Sequence, residues 1–374
     1  MKNIEILKQL EEGKITAQEA LTLLGQQKPE EDFAKPPPEM RPSPDVPDPA
    51  NWVENLVGWV GDVVNDVVEG VQDLDIPGNI SDFMGGTYGH YKDTKVFESR
   101  MVSQGVSGLT LVGKNAKVVV RGYDGDVVRL ECAFDARRPD AEVYFHEENG
   151  VFQLMYDEKL MRHMSINCEV PRVMIQEILI ASKNAKVLVE GINGGKIQLA
   201  TKNDTLKAEG VTCTELIAQN RNAVIKSRGV SASNIHLETT NDTIVAEDFS
   251  ANIVNLKTSN ARIKTSGVNA ASLFMNTTNS GLKIACVEDL QNGESVIEAR
   301  TTNGGITFSV PDDIPLKIEA VTNDGKINCR RDDLNYSDLS KNYMQGESLD
   351  YAMAGRKLRV KLSTTNSSIK ILDI

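Results

Sequence analysis

Six asparagines, Asn184, Asn203, Asn222, Asn241, Asn260 and Asn279, stand 19 residues apart without deviation, in phrases such as TKNDTL, TTNDTI and TTNSGL. A carboxamide both donates and accepts, so such a set could line a repeated ligand site or bond to copies of itself. Asn303 in TTNGGI and Asn366 in TTNSSI continue the phrase further along the chain. A second ordered chemistry is cationic. Counting each Asn as position zero, position +4 carries Lys207, Lys226, Lys264 and Lys283, and flanking positions add Lys183, Lys186, Lys202, Arg221 and Arg262. If the repeats stack, these charges lie within about 8 Å, the Debye length at physiological salt, and reinforce one another as a basic strip for an acidic partner.

Catalytic constellations are missing from the same reading. His90, His146, His163 and His236 are dispersed, and no HExxH, GxSxG, P-loop or strand-linked GxGxxG occurs. GGTYGH at 85 to 90 reads as a hinge. Cys132, Cys168, Cys213, Cys286 and Cys329 are odd in number, far apart and without CxxC, so they read as reduced, buried, small hydrophobes with no disulfide or metal role. The expectation is a chain with no catalytic residues, no cofactor and no metal. Nucleic acid is a poor fit too, since net charge is −12 and few aromatics interleave the basic residues.

The columns around each Asn identify the elements that must carry it. Position −6 is Ile178, Ile197, Leu216, Ile235, Val254 and Leu273, and position +3 is Val187, Leu206, Ile225, Ile244, Ile263 and Leu282. Positions −4 and +8 are apolar as well, position −2 is Ser182, Thr201, Asn220, Thr239, Thr258 and Thr277, and position +7 is usually Gly. Alternation with period two on either side of the Asn gives two short strands per repeat. A 19-residue unit of that kind cannot bury its apolar face alone, so the reading is a β-solenoid of about ten coils. At about 4.8 Å per coil the stack is about 45 to 50 Å long. The Asn column then becomes a structural ladder, with a hydroxyl column beside it. LTLVGKNAKVVVRGY at 109 to 123 fits an early coil, and LKIEAVTNDGKINC fits a later one with Asp324 in the ladder position. The solenoid spans 105 to 374, interrupted at 124 to 175, where AEVYFHE and VFQLMYD suit a hairpin leaving the stack, and at 330 to 357, a polar loop.

The N-terminal part differs in kind. Residues 1 to 100 hold 9 Lys and Arg against 19 Asp and Glu, so this quarter carries nearly all the negative charge. The spacing predicts a helical hairpin over 1 to 25, with Thr16 and Glu19 as a capping box, then a Pro-rich linker over 26 to 50. Over 51 to 75, Trp52, Leu56, Val60, Val63, Val67 and Val71 mark one apolar stripe of an amphipathic helix whose opposite face is acidic, and 76 to 104 is a connector. The stripe must pack on the solenoid, on a partner or on its own copy, which is a route to an oligomer. No apolar leader with a cleavage site opens the chain and no run is long enough to span a bilayer, so the expectation is cytoplasmic, peripheral to the membrane or envelope.

A helical hairpin such as ILKQLEEGKITAQEALTLL, a linker and a solenoid of TTNDTI and TTNGGI units resemble the putative-adhesin repeat proteins of Gram-positive bacteria, the LiaX- and YvlB-like group. The resemblance covers the first 25 residues and 105 to 374, while the acidic helix at 51 to 75 departs from it. It implies a non-enzymatic β-solenoid tied to cell-envelope stress, whose N-terminal part senses or binds and whose solenoid contacts membrane-associated protein partners. A surface adhesin and a polysaccharide-active solenoid enzyme are the competing expectations. Charge asymmetry adds one more, docking of residues 1 to 100 on the solenoid.

Overall fold

The computed structural model describes residues 90 to 373, apart from 101 to 106, 149, 174 and 287 to 291. The hairpin over 1 to 25, the linker, the stripe from Trp52 to Val71 and most of the connector lie outside the described residues. What is described is built from strands, and they stack as a solenoid of ten coils.

Each coil has a first strand ahead of the Asn corner and a second strand after it. Counted along the stack, coil 1 is Gly108–Gly113 and Ala116–Tyr123, coil 2 Ile175–Ser182 and Val187–Glu190, coil 3 Asn193–Thr201 and Leu206–Glu209, and coil 4 Thr212–Gln219 and Ile225–Arg228. Coil 5 starts with Ser231–Glu238. Two long strands, Ile244–Lys257 and Ile263–Asn276, each serve as the second strand of one coil and the first strand of the next, through coils 5 to 7, and Leu282–Cys286 completes coil 7. First strands pair in parallel with first strands and second with second at a shift of 19 residues, so the solenoid has two walls. Period-two alternation turns Ile178, Ile180, Ile197, Leu199, Leu206 and Ile225 inward, where they are fully buried in a single continuous core. The turn after the second strand needs a left-handed residue. Gly191, Gly210, Gly229 and Gly267 take φ between +58 and +63°, and Asp248 occupies the equivalent place at +52°.

The order of the last coils departs from chain order. Gly293–Arg300 and Ile306–Val310 form coil 8, yet they pair with Arg356–Thr364 and Ile369–Asp373, the final strands of the chain. Those strands are therefore coil 9, and Leu316–Thr322 with Ile327–Cys329 becomes coil 10, outermost although earlier in sequence. The segment 330 to 357, read from sequence as a loop, contains Leu334–Leu339 and Tyr343–Ser348, which form a hairpin whose second strand pairs antiparallel with Leu316–Thr322 of coil 10. The chain thus overshoots, builds its own cap and returns to fill the gap.

The other end is closed in a similar way. Val143–Glu148 and Val151–Tyr156 pair as a hairpin, but it does not leave the stack. Val151, Phe152 and Gln153 pair in parallel with Gly108, Leu109 and Thr110 of coil 1, because that strand would otherwise present an open edge. On the second wall Met161–Pro171 pairs with coil 1, Val127–Ala136 pairs antiparallel with it, and Tyr91–Arg100 adds an outermost strand within the stretch read as connector.

Candidate interaction faces of the solenoid

The Asn corner is a row of side-chain amides running the length of the stack. Each Nδ2 donates to the Oδ1 of the coil before it, from Asn184 to Asn115 and on through Asn203, Asn222, Asn241, Asn260, Asn279, Asn303 and Asn366, at 2.6 to 2.8 Å. At the first end Asn115 donates to the backbone oxygen of Arg162. At the last end Asp324 takes the equivalent backbone place, its N–H donating to Thr365 O as that of Asn366 does to Thr302 O. A carboxylate accepts only, so Asp324 stops the amide chain. Inside the stack it could still accept from the next amide, so at either place it forfeits the single bond that an amide would have donated.

Eight of these nine amides, all but the half-buried Asn115, are exposed at the surface. The polar column that is buried is the hydroxyl one. Thr201, Thr239 and Thr277 donate their Oγ1 to Ala185, Ala223 and Ala261 O, and Asn220 fills the same place with its amide on Asp204 O. Thr301, Thr364 and Thr322 extend it into coils 8, 9 and 10. With both columns bonding internally, the Asn repeat holds the corner of each coil and is not built as a repeated ligand site.

The cations expected in one strip divide into two rows and a third, broken column. Along the second wall Lys207, Lys226, Val245, Lys264, Lys283 and Thr307 are in register, and Lys370 of coil 9 joins them. Lys370 stands at position +4 of Asn366, the column of the other lysines, and was passed over because its repeat lies outside the strict 19-residue series. The next outward row mixes signs, Arg121, Glu190, Glu209, Arg228 and Glu247. Its carboxylates reach across: Lys207 Nζ lies 2.6 Å from Glu209 and Arg121 Nε 3.2 Å from Glu190. The second row runs beside the ladder, where backbone hydrogen bonds align Lys114, Lys183, Lys202 and Arg221 on four successive coils. Lys186 and Arg262 share a third position but stand four coils apart, with Thr205, Val224 and Thr243 between.

The first wall holds what the sequence reading passed over. Its outward rows carry Leu179 and Ile217 where an exposed solenoid face calls for polar residues, and both are buried outside the continuous core. Beside them Glu238 accepts from His236 at 3.3 Å and from Lys257 at 2.9 Å. Burial alone would push its carboxyl up, but those two hydrogen bonds outweigh it and hold the pKa below the ordinary value. The signal was available in the −5 column, which alternation marks as outward.

Cys132, Cys168 and Cys213 are buried free thiols, and burial pushes each pKa up to about 12, which makes them unreactive. Among the described residues no group of three or more His, Cys, Asp and Glu could hold a metal ion, and no helix is long and apolar enough to cross a membrane.

No protein-family model matches the chain, and no curated protein does either. Among solved structures it is similar to a putative adhesin from Parabacteroides distasonis at 9% identity and a TM-score of 0.39, over 74% of this chain and 97% of that one. A putative adhesin from Bacteroides fragilis matches at 12% identity and 0.33, and a putative lipid binding protein from Parabacteroides distasonis at 11% and 0.31, each over 75% of this chain and 97% of the other. Likeness at this level says nothing about a ligand.

Proposed function

We propose that this chain is a non-enzymatic interaction scaffold of the bacterial cell envelope stress response, working on the cytoplasmic side and contacting an acidic, membrane-associated protein. The observation that carries the reading is the row Lys114, Lys183, Lys202 and Arg221, which a rigid corner spaces at one coil, about 4.8 Å, per charge. The lysines of the second wall are interleaved with Glu209 and Glu247, which neutralise them locally, whereas the corner row runs beside neutral amides. Such a row steers an acidic partner and fixes its register more than it adds affinity. Assignment to envelope stress rests on the sequence resemblance carried by ILKQLEEGKITAQEALTLL and the TTNDTI-type repeats.

The test is association of the full chain with native membranes, read by sedimentation over a salt series. Binding that falls with salt, disappears when the membranes are first treated with protease, and is lost in Lys183→Glu, Lys202→Glu, Arg221→Glu supports the reading. Binding untouched by the triple charge reversal would falsify it. Protease added to intact cells should leave the protein uncut; cleavage would favour a surface adhesin.

A further inference from the structure

The strand Met161–Pro171 carries a β-bulge where it meets Val127–Ala136. Asp135 pairs with His163 and Ala136 with Met161, so Arg162 between them has no partner and is the extra residue. Coil 1 fixes the bulge on both flanks: Asn115 Nδ2 donates to Arg162 O at 3.1 Å, and Asn115 O accepts the Met164 N–H at 3.4 Å. The first amide of the ladder thereby sets where Arg162 stands. Arg162 lines a half-open recess of 220 Å³, counting the solvent at its mouth, and all nine residues around it are described ones. Tyr156 lines it too, its hydroxyl donating to Val112 O at 3.2 Å. Gly113 leaves room for that ring, since a Cβ there would sit 2.7 Å from the Tyr156 oxygen. Asp157 accepts the Lys159 N–H at 2.8 Å and shapes the turn that brings Glu158 to the same recess.

The recess has donors without acceptors. Arg162 Nε is buried and has no hydrogen-bond partner. Asp135, whose carboxyl feels the charge of Arg162, is bonded to His90 Nδ1 at 2.9 Å instead. A guanidinium N–H taken out of water without an acceptor is costly, so an oxygen at that N–H completes the site. We infer that this recess binds a phosphate-type oxyanion, with Arg162 Nε, Lys114 Nζ and a ring N–H of His163 as its donors. Three observations select that chemistry. An anion supplies the acceptor that the buried Nε lacks, and Lys114 and Arg162 outweigh Glu158, the one acid among the lining residues. Three donor side chains around one recess suit a tetrahedral oxyanion, which has an oxygen for each, better than a planar carboxylate, which has two. The bulge is also held in place beforehand by Asn115, so binding spends little on ordering it. Lys114 opens the basic row of the corner, which puts a phosphate group at the head of that row. The site does not rest on the partner reading, because Lys183, Lys202 and Arg221 do not line it.

The test is calorimetric titration of the full chain with sodium phosphate near neutral pH, against sodium chloride at matched ionic strength. Saturable binding of phosphate alone supports the site when Arg162→Gln weakens it about tenfold or more, the loss of one charge-assisted hydrogen bond. Combining Arg162→Gln with Lys114→Gln should abolish it, while Lys226→Gln, at an exposed lysine of the second wall, should bind as the parent does. No phosphate-specific binding overturns the site, and so does binding that Arg162→Gln leaves unchanged or that Lys226→Gln weakens equally. Glu158→Gln should tighten binding, and weakening there counts against the assignment. Should Arg162→Gln fail to fold, Lys114→Glu replaces it, since that side chain is exposed, and unchanged phosphate affinity then refutes the site. Vesicles separate the two sources of the anion. Given phosphate binding, co-sedimentation with phosphatidic acid and not with phosphatidylcholine, lost in Arg162→Gln, assigns a lipid headgroup, and its absence assigns a free phosphate.

Discussion

Both ends of the solenoid face the same problem, an open parallel edge, and they solve it with different chemistry. At the first end the cap is apolar. Phe152 is fully buried against coil 1, stacks on Phe145 at 5.5 Å, and Phe145 meets Phe97 of the outermost strand at 6.0 Å. At the last end the cap is ionic. Arg331, with its side chain 2% exposed, forms a two-bond fork with Asp333 at 2.7 Å and donates to the backbone oxygens of Pro311 and Ile314. Asp333 also accepts from Ser348, whose Oγ accepts the Leu316 N–H at the start of coil 10. The difference follows from the chain path. The first cap is a long excursion with room for a small aromatic core, whereas the last is one hairpin that adds only Leu334 and Met344 to the core, and a guanidinium with several fixed acceptors holds its turn.

Removing each anchor is the strongest way to break this comparison. Phe152→Ala should cost about 3 to 5 kcal/mol in urea unfolding, with no salt dependence. Hydrogen exchange should rise in coil 1 and leave coils 8 to 10 unchanged. Because the exposed edge can then pair with another molecule, concentration-dependent association is expected as well. Arg331→Ala should cost about 2 to 3 kcal/mol, less than a fully buried ion pair because Asp333 is half-exposed, and its exchange signature should appear in coils 9 and 10 alone. The reverse pattern in either variant would show that the caps are not independent.

Acid should distinguish the ends next. The hydrogen bond from Arg331 holds the Asp333 carboxyl below its ordinary value, against burial, with Ser348 assisting. A lowered folded-state pKa contributes stability above the unfolded value of about 4 and loses it as pH falls through the folded one. The last cap should therefore loosen below about pH 4, whereas the Phe152–Phe145 contact has no group to titrate, and any acid response at the first end would come from Asp135 on the outer strands, whose carboxyl the hydrogen bond to His90 holds below its ordinary value. Asp373 has the opposite sign: burial first, and Asp312 beside it, raise its pKa, so its charge costs stability once pH exceeds that value. Asp373→Asn should raise the neutral-pH melting temperature, and a fall would reverse that assignment.

The smallest effects concern the ladder, which ends in a satisfied amide at Asn115 and in a carboxylate at Asp324. Asp324→Asn should add a rung and stabilise by about 0.5 to 1.5 kcal/mol, seen as slower exchange in coil 10. In the middle of the stack Asn241→Ala should lose a similar amount, because water can reach the freed partners. Thr239→Val, which removes the buried hydroxyl that donates to Ala223 O, should cost more, and equal costs would mean that exposure does not separate the two columns.

Much of the fold was legible because its determinants are local. Ile178, Val187 and their 19-residue successors announce two strands and an inward side, and Asn241 with Thr239 marks the corner between them. Asp324 could be placed in the ladder from alternation alone. The hairpin around Phe152 was misplaced as leaving the stack, since its sequence shows that two strands pair but not which edge they cover. Tyr91–Arg100 was missed because its charged residues suit an exposed outer strand as well as a connector. The sealed row of Leu179 and Ile217 was overlooked because inward columns drew the reading.

Period, alternation and the amide at each corner are properties of neighbouring residues, and from them the sequence alone determined a β-solenoid of about ten coils with an Asn ladder. The insertion of coil 9 inside coil 10 and the covering of the edge of coil 1 by the hairpin around Phe152 are outcomes of tertiary structure. Each depends on which edge a distant segment closes, and pairing across tens of residues is set by the competition among edges, caps and faces of the whole chain, a quantity no local pattern contains.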